Sequence, residues 1–267
     1  MQKGLRRIVL ANTITLIVML FANFLAGSGR LIHKTVGEVS NKCDTLFAPA
    51  GYAFIIWSVI FLFCIAFCIH QWYLLKNGDP KNFISRTGYW FAISNLFNIS
   101  WLFCWLNEWF AISVIVILLL LICLCILTVR LRLELDDEPA QTILFVWWPI
   151  AIYVGWIIVA TVACVAAWLV SAGYDGGAIG AETWTIIMIA IATGLFLLLL
   201  KTRNLREAAL VGIWAFIAIA VKQWQLHNNI SVTAIIASFV LLLATSIHGY
   251  KNRATNVASK IGRGEWK

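Results

Sequence analysis

The chain has 267 residues, 62% of them hydrophobic and only 12% charged, with a formal net charge of +8 at pH 7. So apolar a composition excludes a soluble globular fold, and its repeated apolar runs of about twenty residues match a hydrocarbon core roughly 30 Å thick. The basic charge does not point to nucleic acid, because it is concentrated in alternate gaps between those runs.

Eight runs are read as transmembrane helices, at 8–26, 49–75, 89–106, 110–129, 143–170, 183–200, 208–226 and 230–248. In lipid a backbone must satisfy its own hydrogen bonds, and none of these runs has the alternating polarity of a barrel strand. The expected fold class is therefore an all-α integral membrane protein. The basic 1–7 segment ahead of the first run resembles the start of a signal peptide, but the run is longer than a usual signal core, so an uncleaved helix is expected. The second run opens at Pro49, whose missing N–H costs nothing in a first turn. Gly51 then leaves room beside Tyr52 and Phe54, and Trp57 follows within the apolar stretch. In the third, Asn95, Asn98, Trp101 and Trp105 recur at helical spacing and share one stripe. An asparagine in hydrocarbon needs a partner, and for Asn98 an interhelical hydrogen bond and a ligand contact are equally good readings.

The gap at 130–141 carries Glu134, Asp136, Asp137 and Glu138 and is read as a solvated connector. In the fifth run Pro149 starts or kinks the helix, Trp147 and Trp148 are read as interfacial anchors, and Tyr153, Trp156, Ala160, Thr161 and Cys164 follow. A glycine-rich linker at 171–182 then separates five helices from three. The expected division is a five-helix bundle at 1–173 and, at 174–267, three additional helices with a basic tail.

Sixteen of the twenty Lys and Arg residues fall on one side of this arrangement. The other side holds Arg30, Lys34 and Lys42, all in the first long loop, while Lys222 lies near a helix end. By the positive-inside rule both termini face the cytoplasm, which agrees with an even number of spans.

Fourteen tryptophans are present, and several lie inside apolar runs instead of at their interfacial ends. At 1.5 Å per residue, Trp57, Asn98, Trp101, Thr161 and Cys164 all fall roughly 9–15 Å below the outer boundary, as a pocket opening toward the first outer loop would require. The helix centres carry no Asp or Glu of the kind that drives ion-coupled transport. Cys64 and Cys68 are four residues apart but are read as core packing, the histidines are dispersed, and no metal site is expected. No phosphate loop, zinc helix or nucleophile elbow is found, so catalytic residues are not assigned.

The run Phe47-Ala-Pro49-Ala-Gly51-Tyr52-Ala-Phe54-Ile-Ile-Trp57 resembles the second-helix entry of the translocator protein / tryptophan-rich sensory protein (TspO/MBR) family. Asn98-Ile-Ser-Trp101 is similar to its third-helix motif, and Tyr153-Val-Gly-Trp156 with Ala160-Thr161 and Trp168 is similar to its fifth. Cys164 stands where that family commonly has an asparagine, and its usual acidic residue is absent around Ser113.

The resemblance implies a five-helix bundle that binds a tetrapyrrole such as haem or protoporphyrin, or a sterol-like molecule, under the loop between the first two helices. Depth, helix spacing and the resemblance together make Pro49, Gly51, Tyr52, Phe54, Trp57, Asn98, Trp101, Trp105, Tyr153, Trp156, Ala160, Thr161 and Cys164 the expected ligand-binding residues. Flat apolar rings suit indole and phenol faces, with a few polar groups to fix orientation. The leading expectation is a multi-pass membrane receptor or sensor for a hydrophobic ring ligand, in a bacterial inner membrane, without assigned catalysis. A transporter of a small hydrophobic molecule and a non-catalytic membrane scaffold or assembly factor are the alternatives. The expected partners are the lipid bilayer and the ligand; nucleic acid is not expected, and a homodimer is left open.

Overall fold

The computed structural model describes residues 2–43, 45–79, 81–253 and 256–266, so Lys267, one of the sixteen cations counted above, lies outside the described residues. All regular structure in the described residues is helical. Helix α1 is Gln2–Gly27, α2 is a short Val36–Lys42 helix in the first loop, and a 3-10 turn at Gly51–Ile55 leads into α3, Ile56–Asn77. Then come α4, Phe83–Thr87; α5, Trp90–Leu106; α6, Phe110–Arg130; and α7, Ala140–Thr142. After these follow α8, Trp148–Ser171; α9, Gly180–Arg203; α10, Arg206–Gln223; α11, Asn228–Lys251; and α12, Val257–Gly262.

Among the described residues, six helical segments are long and apolar enough to cross a membrane, namely those containing α1, α3, α6, α8, α9 and α11. Helix α5, with 17 residues, is apolar but shorter, and α10 includes Arg206, Glu207 and Lys222 in its 18 residues. Both pack among the long helices: α5 lies against α1 and α6, and α10 against α8, α9 and α11.

Helix α8 is the centre of the molecule, packing against α3, α6 and α10. Every residue from Pro149 to Val159 is buried. A wide π-turn at Ile143–Trp147 precedes Pro149, which has no N–H to continue an ordinary helical ladder. Trp147 is only 2% exposed, so it packs in the core and does not anchor an interface. Gly155 brings α8 directly onto α10: a Cβ there would stand 2.8 Å from both Cα and the carbonyl oxygen of Ala208. Close backbone approach at small residues is how helices associate where lipid supplies no hydrophobic drive.

Polar knots fix the remaining helices. Asn12 of α1 donates to Gln71 Oε1 of α3 at 3.0 Å and accepts from the Ala92 amide of α5 at 3.1 Å. The tail folds back on the α6–α7 loop, where the Ala140 and Gln141 amides donate to the carbonyls of Glu265 and Trp266. Lys260, 3% exposed, pairs there with Asp137 and Glu265.

Candidate functional site: an aromatic box under the first loop

Indole rings from α3, α5 and α8 converge at the end of the bundle that carries the first loop. Trp57 stacks on Trp101 with centroids 6.1 Å apart, and Trp101 stacks on Trp105 at 5.9 Å. Trp57 also meets Tyr153 and Trp156 edge to face at 6.1 and 6.2 Å, and Phe54 meets Trp156 at 6.0 Å. These separations are in the range where aromatic pairs attract beyond simple area burial, by about 0.5–1.5 kcal/mol each. Trp101 and Trp156 are 4% and 2% exposed, so they face inward, away from the lipid side.

Between the rings lies a cavity of about 30 Å³. Pro49, Phe54, Trp57, Trp101, Trp105, Trp156, Ala160 and Cys164 line it, together with Val36, Ser40, Val159 and Ala163. That volume is about the share of one water molecule, whereas pockets for drug-sized ligands run from about 300 Å³ upward. In this conformation the box is therefore too small for a tetrapyrrole or a sterol. Its chemistry suits a flat ring better than its volume does: the buried indole N–H of Trp156 has no acceptor among the described residues. The indole N–H of Trp101 faces the Cys164 sulfur, short of hydrogen-bond geometry.

The other residues singled out from the sequence lie around the box without lining it. Asn98 donates to the Tyr153 hydroxyl and accepts from Asn23, each at 2.9 Å, so it ties α5 to α8 and α1. Thr161 donates its hydroxyl to the Ile157 carbonyl at 2.7 Å. Gly51 begins the 3-10 turn, and Tyr52, 45% exposed, turns away to meet Trp214 of α10 edge to face at 5.4 Å. Ser113 and Cys164, the two positions that differ from the resembled pattern, meet each other, Oγ to Sγ at 3.0 Å. A small neutral pair thus occupies a place where an asparagine and an acid would have been bulkier and more polar.

The roof is α2, too short and polar to register as an apolar run. Its signal was present as Thr35-Val-Gly-Glu38, a capping box: Glu38 N–H donates to Thr35 Oγ1 at 3.2 Å, and Thr35 N–H to Glu38 Oε2 at 2.7 Å. The Trp105 indole donates to the Val36 carbonyl at 3.2 Å, fastening the roof to the box wall. Lys34, just before α2, and Lys42, its last residue, both bond Glu108 of the α5–α6 turn, and those two ammonium groups hold its carboxyl below the usual range. Helix α10 fixes the rest of the loop. Ala50 N–H donates to the Ala218 carbonyl at 3.1 Å, the Trp214 indole to the Ala53 carbonyl at 3.1 Å, and Gln223 to the Leu46 carbonyl at 2.9 Å.

These features define a multi-pass helical membrane protein built around a buried aromatic cluster. The family model for TSPO-like protein matches residues 8–247. The chain belongs to that family. The match is not confined to the first five helices but runs into α11. Comparisons with curated proteins and with solved structures found no match.

Proposed function

We propose that this protein is a membrane receptor or sensor that takes a hydrophobic ring ligand, a porphyrin or a sterol-like molecule, into the aromatic box. The observation that carries this reading is the convergence of Trp57, Trp101 and Trp156 from three separate helices around one roofed cavity. The described conformation is then the closed one. Ligand entry requires α2 to leave Trp105 and the indoles to separate, exchanging ring-on-ring contact for ring-on-ligand contact of the same kind. The unpartnered N–H of Trp156 gives a ligand acceptor atom a donor inside the box.

In this reading eight helices span the bilayer, with α5 and α10 completing the set and both termini in the cytoplasm, because sixteen of twenty cations then lie on the inner side. The organisation is a ligand-binding bundle at 1–173 and a supporting unit at 174–267, whose α10 braces the first loop from outside the box. The setting proposed with it is a bacterial inner membrane.

Tryptophan fluorescence tests the reading. Protoporphyrin should quench it saturably, and Trp57→Phe, Trp101→Phe and Trp156→Phe should each weaken affinity by about two- to tenfold. Unchanged affinity in all three folded variants would refute the assignment.

A further inference from the structure

Two cavities adjoin along the flank of the bundle, starting at the end opposite the aromatic box. One, of about 350 Å³, is lined by Trp148, Arg206, Glu207, Thr245, Gly249 and Asn256 among others. The second, of about 370 Å³, is lined by Ile56, Val59, Phe63, Leu210, Val211 and Trp214. Trp148, Glu207 and Leu210 belong to both, so one cleft continues into the other. Its first half is polar and ionic, at the start of α10, where the chain leaves the hydrocarbon. Its second half is apolar and runs along α3 and α10; Ile56 to Phe63 alone covers about 10 Å of helix.

The polar half holds groups that lack partners. Arg206 Nε and Thr245 Oγ1 have none among the described residues, and Thr245 is 9% exposed. Glu207 Oε2 lies near the Trp148 indole N–H but short of hydrogen-bond geometry, so it too is unpartnered. Behind them, Glu134 stands 3.9 Å from Arg206, with its Oε1 also unpartnered. Burial pushes the Glu134 carboxyl up to about 8, with the Glu207 charge adding to the shift, so of the two carboxyls near Arg206 it is Glu134 that is the weaker counter-charge at neutral pH. Buried polar atoms in folded proteins almost always have partners. A donor, a hydroxyl and an acceptor left over on one cavity therefore call for an occupant with both an anionic and a cationic end.

A ligand matching the whole cleft has a zwitterionic head at the membrane boundary and an apolar chain reaching inward. We propose that the cleft holds one membrane phospholipid with a phosphoethanolamine head, its phosphate on Arg206 and Thr245, its ammonium on Glu207, and an acyl chain along Ile56, Phe63 and Leu210. The primary ammonium has three N–H donors and suits a carboxylate directly, whereas a choline head offers none. The site is separate from the aromatic box and does not depend on what the box binds.

The test uses the full-length protein in nanodiscs containing equal parts of dioleoyl phosphatidylethanolamine, phosphatidylcholine and phosphatidylglycerol, with retained lipid counted by native mass spectrometry after transfer to detergent. The wild type should retain one phosphatidylethanolamine, favoured at least fivefold over either of the others. R206Q should lose retention of phosphatidylethanolamine and phosphatidylcholine alike, and E207Q should abolish the preference between them. Leu210→Trp, which fills the apolar half and leaves every charge in place, should lower retention of all three lipids while protoporphyrin quenching stays as in the wild type. Equal retention of the three lipids, a preference for phosphatidylglycerol, or retention unchanged in all three variants would overturn the proposal.

Discussion

The two ends of α8 bury aromatic and polar groups in opposite ways. Around Trp156 the rings pack against one another until about 30 Å³ is left, and Asn98, Tyr153, Thr161 and Ser113 all have hydrogen-bond partners. Around Trp148 the walls stand apart by some 350 Å³, and Arg206, Glu207 and Thr245 keep atoms without partners. An apolar box can close on itself because its rings pack against one another, leaving only single indole N–H groups, those of Trp101 and Trp156, without acceptors. A set of buried charges cannot, since desolvated ions need specific counter-groups. The first region is therefore stable when empty, while the second gains most from an occupant.

Substitutions can break this contrast, beginning with the largest effect. Trp156→Ala removes the ring that meets both Trp57 and Phe54, and should cost about 3–5 kcal/mol, read as a fall in the thermal midpoint in detergent. Gly155→Ala drives a methyl against Ala208 between the two regions, and should cost about 1–3 kcal/mol while disturbing both sites together.

Glu134→Gln sharpens the ionic side. The folded-state pKa of Glu134, about 8, lies above its ordinary value of 4.5, so the folded protein binds the extra proton across that window and stability falls as pH rises through it. The variant should lose less thermal stability than the wild type between pH 5 and pH 9; parallel curves would show that Glu134 is not protonated in the fold.

The smallest stability effect is expected at the roof. Glu108→Gln weakens two exposed lysine pairs worth at most about 1 kcal/mol together, yet it should speed protoporphyrin association in stopped-flow quenching because α2 is released. An unchanged association rate would separate the roof from ligand entry.

Much of the box could be read from the sequence because its parts recur at helical spacing within single runs: Trp101 and Trp105 on α5, Trp156 and Ala160 on α8. Such spacing says nothing of Tyr52, whose ring neighbour, Trp214, lies far along the chain on α10. Helix α2 is invisible to a search for apolar runs because it is seven residues long and half polar, although its capping box is legible. The cleft at Arg206 could not be read at all. Glu134, Glu207 and Thr245 come from three segments, and a charged residue near a helix end ordinarily signals only a membrane boundary.

The most direct measurement compares protoporphyrin quenching of the wild type with that of Ala160→Leu. Ala160 lines the box, and a larger side chain there overfills a space that already holds little more than one water. Saturable binding lost in a folded Ala160→Leu protein is the predicted result. Affinity equal to the wild type would place the ligand elsewhere and contradict the account.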